Sequence, residues 1–418
     1  MPPVKVVVLG GSGVATPELA SAIASSPGRT QRIELVLVGR NLDKLETVAG
    51  VTRLLAGQDP LLEISHTTDV AAALTGADYV INQVRVGGLE ARAFDESFPR
   101  DLGIPGEETM GPGGFANASR TVPVVLQYAR LIERVAPTAT MLTFANPSSL
   151  VQYAVTRYTR VAAIGLCDSP ISLIAGVAKA LGVSAASLTV DYVGMHHFGW
   201  ITAVWWEGSN VLPDALAKAG EICPDIAPEI VQAIGAIPSS YLRYVYHPDR
   251  ILAKVAGHRT RAEDLIELQD EILAEYATCL QSGRKPSALS RRGARWYSLI
   301  IAPVLLALVE GRCSGNEVHS HRFTLNVVNG QTVPWLPPDA IVEAPVLVHQ
   351  GMVEPLSTGS APPDIVGLVR ANCAYEMLAA EAIVERDRAK ALRALLSNPM
   401  IHTHTQAVAV LDRVWNKV

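Results

Sequence analysis

Short apolar runs alternate with amphipathic stretches along the first 190 residues. Residues 4–9, Val-Lys-Val-Val-Val-Leu, form a compact β-branched run, which predicts a buried strand. The same reasoning predicts strands over 33–38, 61–65, 79–84, 141–145, 161–166 and 188–193. Between them, helical spacing predicts helices over 17–26, 42–55, 70–74 and about 119–135. Pro17 suits a first helical position, where its missing N–H is not needed. Strands alternating with helices are the pattern of a doubly wound α/β sheet. After Trp200 the pattern changes. Residues 201–206 read as a strand, followed by helices over 213–219, 228–234, 260–278 and 287–308. A return strand over 323–328 and helices over 365–389 and 403–414 close the chain. The expected architecture is a doubly wound sheet over 1–191, followed by a mostly helical α+β domain over 192–418.

Composition narrows the function classes. The 418 residues carry a net charge of −5, which argues against a nucleic-acid-binding protein, since that needs a basic face. No apolar run reaches the length of a membrane span. The longest, 299–309, contains Pro303 and reads as a buried core helix. Met1-Pro2-Pro3-Val4-Lys5 leads directly into a strand with no signal-peptide pattern. Five cysteines, odd in number and without CxxC spacing, suit a reducing compartment and offer no disulfide framework. The expectation is a cytoplasmic protein.

The chemistry-bearing residues sit at the ends of the apolar runs. Gly10-Gly11-Ser12-Gly13-Val14 follows the first strand and precedes a helix. Glycines there let backbone approach a pyrophosphate, and the helix N-terminus supplies N–H groups, so the first half reads as Rossmann-type and nucleotide-binding. The second strand ends in Gly39-Arg40-Asn41 rather than in an acid for ribose hydroxyls. Arg40 could meet a 2′-phosphate, which leaves NAD against NADP open. Arg85 ends the fourth strand, and Glu107-Glu108 opens a loop, 106–114, rich in glycine and proline. Asn146 ends the fifth strand and is placed to hydrogen-bond a sugar hydroxyl or ribose. Cys167 and Asp168 end one strand, and His196 and His197 end another. Carboxyl ends of parallel strands surround the ligand crevice, so thiol, carboxylate and imidazole are expected at one place. Cys167 and His197 are the expected metal ligands there, beside a nicotinamide.

Taken in order, these motifs resemble glycoside hydrolase family 4, the NAD- and metal-dependent glycosidases. The likeness rests on the glycine loop, 83–88, 108–114, Asn146-Pro147, Cys167-Asp168 and His197-Phe198-Gly199-Trp200. It continues through Arg261-Ala262-Glu263, Arg292-Gly293-Ala294, 326–329 and 342–345, and so covers nearly the whole chain. The resemblance implies an unusual route to glycosidic cleavage, one outside two-carboxylate hydrolysis. NAD⁺ takes hydride from sugar C3, the ketone acidifies C2–H, a tyrosine removes that proton, and the glycosidic oxygen leaves. Water then adds at C1 and the hydride returns. It also implies Gln83 and Asn146 at the cofactor, and a Lewis-acid metal, usually Mn²⁺, on Cys167 and His197. The base falls in the segment 237–246, with Tyr241 at the family's position and Tyr244 and Tyr246 as alternatives.

Three residues depart from the family pattern: Glu107 for glutamine, His196 for asparagine, and Asp168 where β-acting members resemble Cys-Asn. In α-acting members an aspartate there looks like the acid that protonates the leaving oxygen, which points to an α-glycoside. The sugar's C6 group is expected to be anionic, a sulfonate (sulfoquinovose) ahead of a phosphate. Expected substrate contacts are Arg85, Glu108, Asn146, His196, Arg261 and Arg292, with Arg259 a further candidate cation. The partner is a small-molecule glycoside, and a homodimer or homotetramer is expected. The rival readings are a plain 2-hydroxy-acid-type dehydrogenase and a non-enzymatic NAD sensor.

Overall fold

A computed structural model describes residues 2–313 and 320–415. Six parallel strands form its centre: β1 (Val4–Leu9), β2 (Ile33–Val38), β3 (Leu62–Thr67), β4 (Tyr79–Asn82), β5 (Thr140–Thr143) and β6 (Ala162–Gly165). Their spatial order is β6-β5-β4-β1-β2-β3, so the order reverses beside β1, where such sheets bind ligands. The next four strands, β7 (Leu188–Met195), β8 (Phe198–Trp206), β9 (Ser209–Asn210) and β10 (Ile237–Pro238), make a separate antiparallel sheet. Then β11 (His321–Val328), β12 (Ile341–His349) and β13 (Met352–Pro355) return to the first sheet and extend it, antiparallel, outward from β6. The α/β class and the helical second half agree with the sequence pattern. Among the described residues no helix is long and apolar enough to cross a membrane.

Four expectations need correction. The run 188–193 does not belong to the parallel sheet: β7 turns back at once into β8, with Met195 opposite Phe198 and His196-His197 as the turn. The breaker-rich loop 106–114 ends early, because Gly111–Val135 is already helix. Its glycines serve close packing. A Cβ on Gly113 would stand 2.1 Å from the Glu107 carbonyl oxygen, and one on Gly114 would stand 2.1 Å from that of Thr109. The predicted helix over 287–308 is interrupted at Gly293, whose φ of +67° ends the short helix Leu289–Arg292. The helix from Pro363 stops at Glu385, and Asp387 caps a separate helix, Arg388–Ser397.

One element of the second half closes over the first. The helix Arg261–Ser282 packs Leu265, Leu268, Ile272 and Tyr276 against Val14, Val48 and Val51. The Tyr276 hydroxyl donates to the Val14 carbonyl, which fixes the helix above the glycine loop. Its start is set by a capping box. Thr260 Oγ1 accepts from the Glu263 N–H at 3.2 Å, and the Glu263 carboxylate accepts from the Thr260 N–H at 2.6 Å. Thr260→Ala is expected to destabilise the protein by about 1 kcal/mol, read as a lower denaturation midpoint. An unchanged midpoint would mean that tertiary packing alone sets this end.

Candidate active site

A cavity of about 510 Å³ lies at the reversal point, lined by the glycine loop, the ends of β2 and β4, and the covering helix. Its walls include Gly10, Ser12, Gly13, Val14, Arg40, Gln83, Arg85, Asn146 and Arg292. The glycines have distinct tasks. Gly10 adopts φ +84°, and a Cβ there would crowd the Gln83 carbonyl at 3.0 Å. Gly11 is pressed on β2, where a Cβ would meet the Val38 nitrogen at 2.8 Å; it shapes the loop without lining the cavity. Gln83 is braced on both sides: its Nε2 donates to Thr16 Oγ1 at 2.9 Å, and its Oε1 accepts from the Tyr297 hydroxyl at 2.7 Å. A smooth glycine cradle ahead of a helix N-terminus, opening on a cavity of this size, fits a dinucleotide.

Beside the cavity, Cys167, His196 and His197 converge. One ligand atom from each lies within 4.8 Å of the others, and all three residues are buried. Cys167 follows β6, whereas both histidines arrive on the β7–β8 turn, where His197 holds φ +62°. A left-handed backbone is uncommon for a residue with a side chain, and such conformations concentrate at functional sites. The two imidazole rings stack at 3.9 Å. Burial pushes His196 down to about 3, and burial together with His196 pushes His197 well below its ordinary value. Both imidazoles are therefore neutral, and the Nδ1 atom of each is buried without a hydrogen-bond partner among the described residues. Burial, then Glu343 and Asp168, raise the Cys167 thiol. A thiol and two neutral imidazoles with unmet nitrogens fit a divalent cation, which would also favour the thiolate.

Tyr241 completes the cluster. Its ring lies on that of His197, with centroids 3.5 Å apart and planes 9° from parallel. The placement follows from β10, which pairs Ile237 with Ile201 and Pro238 with Trp200. Ser239 Oγ then lies 3.2 Å from Ser169 Oγ, tying this segment to the Cys167 loop. Burial, then Glu107, raise the Tyr241 phenol well above its usual value. Arg243 lies over both Tyr241 and Tyr244, but among the described residues neither Tyr244 nor Tyr246 stacks on the histidines. Asp168 precedes the helix Ser169–Leu181, and burial raises its carboxyl.

Around the cluster, charge is tightly arranged. Buried Glu108 pairs with Arg85 and, at 3.1 Å, with Arg92. Burial would raise its carboxyl, but the two guanidinium groups outweigh burial and hold it at about 2. Glu107 accepts from the Thr109 and Met110 N–H groups at 2.6 and 2.7 Å and so anchors the start of the helix Gly111–Val135. Arg292 lies over Trp296, 4.9 Å from the ring centroid, with no carboxylate partner among the described residues. Burial, then Arg92 and Arg85, push it down to about 10. Arg261 is exposed and lies outside the cavity lining, as does exposed Arg259, which pairs with Glu267.

The pattern of family 4 glycosyl hydrolases matches residues 5–183, and that of the family's C-terminal domain matches residues 192–401. The chain belongs to glycosyl hydrolase family 4. Among its relatives is a probable 6-phospho-beta-glucosidase of Bacillus subtilis (strain 168), 30% identical over 98% of this chain and 95% of that one. The 6-phospho-beta glucosidase of Thermotoga maritima, solved with manganese, NAD⁺ and glucose-6-phosphate, superposes with a TM-score of 0.88 at 27% identity. That match covers 99% of this chain and 98% of the other. A 6-phospho-alpha-glucosidase from gut microorganisms, solved with NAD and glucose-6-phosphate, gives 0.86 at 25% identity, covering 100% and 98%.

Two residues beside the cluster have no role assigned from sequence, although 342–345 is part of the family likeness. Glu343, fully buried on β12, accepts from the Tyr192 hydroxyl at 2.7 Å and lies against Cys167. Burial pushes its carboxyl up to about 8. The available signal was a lone acid inside the apolar run 341–348, but Glu343 and Pro345 hid that run as a strand. Arg92, the second partner of Glu108, reads in sequence as an ordinary solvated helix charge.

Proposed function

We propose that this family 4 enzyme is an NAD- and divalent-metal-dependent glycosidase acting on the α-glycoside of a hexose 6-phosphate. The observation that carries the reading is the meeting of Cys167, His197 and Tyr241, with Asp168 next to Cys167 in the chain, beside a glycine-lined cavity. When bound, the nicotinamide supplies a reversible hydride acceptor and the cation a Lewis acid for the sugar's O2 and O3. Cys167 and His197 hold the cation, and the glycine loop with Gln83 shapes the cofactor cradle. Tyr241 takes the C2 proton once C3 is oxidised. Asp168 gives its proton to the departing glycosidic oxygen, the role that selects the α-anomer. Arg292, without a carboxylate partner among the described residues, and Arg85 offer charge to the C6 anion.

The C6 group is read as phosphate ahead of sulfonate. Glu107 and His196, two of the departures from the family pattern, have other work. Glu107 anchors a helix start, and His196 points into the metal cluster. The relatives described above are named for 6-phosphosugars. The test supplies NAD⁺ and Mn²⁺ with aryl α- and β-glucoside 6-phosphates and the matching α-sulfoquinovoside. The α-phosphate is expected to turn over fastest, without accumulation of NADH. Faster cleavage of the sulfonate or of the β-anomer would overturn that part of the assignment. NADH accumulating in step with product would replace the glycosidase by a dehydrogenase.

A further inference from the structure

The Asn146 side chain lies near the Glu108 carboxylate, which is held ionised between Arg85 and Arg92. An acceptor-only carboxylate favours the NH₂ group on its own side. The amide oxygen, Oδ1, faces His196, with Nε2 3.2 Å away. An amide oxygen only accepts, so Nε2 carries the ring proton and Nδ1 presents its lone pair.

Among the described residues, Nδ1 is buried without a hydrogen-bond partner. The Glu343 Oε1 atom, at 3.9 Å, is beyond hydrogen-bond reach. His196 is only 4% exposed, so bulk water does not satisfy it. An imidazole that donates one N–H to a carbonyl, with its other nitrogen unmet beside a thiol and a second imidazole, has the makings of a metal ligand. Ligands on one ion with bonds of about 2.0–2.3 Å stand roughly 3–4 Å apart, close to the 4.8 Å limit that already contains Cys167, His196 and His197.

We infer that His196 is a third protein ligand of the cation, making the centre Cys167–His196–His197 rather than a cysteine–histidine pair. This rests on the metal site proposed above. Three protein ligands leave coordination positions for two sugar oxygens. They also add an imidazole to a thiolate, a donor set that favours Co²⁺ and Zn²⁺ over Mn²⁺ more than a two-ligand site would. His196 then links the cation to Asn146, which lies beside the Glu108–Arg85–Arg92 group.

The test uses the full chain, stripped of metal by chelator, with no sugar present. Co²⁺ is titrated in and followed by thiolate-to-cobalt charge-transfer absorption, with chelator competition giving the dissociation constant. His196→Asn is expected to weaken Co²⁺ binding by about 100-fold, the upper end of the range for losing a ligand's supporting partner, with NAD⁺ affinity unchanged. His197→Asn should weaken it at least as much. Wild-type affinity in His196→Asn, with binding lost in His197→Asn, would overturn the third ligand and leave the metal site standing. Absence of Co²⁺ binding by the wild type would overturn both. Should His196→Asn fail to fold, X-ray absorption of the Co²⁺-loaded wild type decides: one sulfur and two imidazoles support the inference, and one imidazole overturns it.

Discussion

Tyr241→Phe is expected to lower kcat by about 10²–10⁴-fold, the range for loss of a positioned proton-transfer group, with stability and metal affinity near wild type. Phenylalanine keeps the ring that stacks on His197 at 3.5 Å and removes only the hydroxyl. The size of the effect follows from how the phenol is held. Burial and the surrounding carboxylates disfavour phenolate, so the base works only with positive charge beside it. Arg243, 5.7 Å above the Tyr241 ring, supplies part of it, and a cation held by the adjoining cysteine and histidines supplies the rest. Steady-state kinetics with the α-glucoside 6-phosphate reads kcat directly. A kcat close to wild type would move the base to Tyr244 or Tyr246, or to another group.

Glu108→Ala is expected to destabilise the fold by about 3 kcal/mol, the lower end of the range for removing one partner of a buried ion pair. The carboxylate is nearly inaccessible, with its side chain 7% exposed, while Arg85 and Arg92 are 32% and 15% exposed. Its loss leaves two guanidinium groups close together without their shared counter-charge. Two features hold the effect at the low end: Arg85 can turn to solvent, and Arg92 keeps Glu96 at 2.6 Å. Urea denaturation should show a lower midpoint at unchanged slope. A change below about 1 kcal/mol would place the group with surface ion pairs.

The sequence made the parallel sheet readable because its strands are short β-branched runs with little else to be. β1 and β2 fall where the apolar pattern ends them. The gathering of polar residues was readable for a related reason. Cys167, Asp168, Asn146 and His197 are polar residues at the ends of such runs, where only a crevice explains them. The β7–β8 hairpin was not readable, since tight turns are signalled by Asn-Gly or Asp-Gly and this one is His196-His197. A turn made of two histidines carries no turn signal in sequence. The glycines at 111, 113 and 114 misled in the opposite sense: they read as a loop, yet they start a helix pressed against neighbouring backbone. β12 was hidden because its interior carries Glu343, a charge that makes sense only beside Cys167 and Tyr192. Arg261 belongs to the recurring motif but lies on the surface of this chain.

The central claim is cleavage through oxidation at C3 and deprotonation at C2, with Tyr241 as base. Its most direct test is hydrolysis of the α-glucoside 6-phosphate in D₂O with NAD⁺ and Mn²⁺, followed by NMR of the released sugar. The account predicts deuterium at C2 of the product from the wild type, and neither deuterium nor product from Tyr241→Phe. Product released with hydrogen retained at C2 would contradict it.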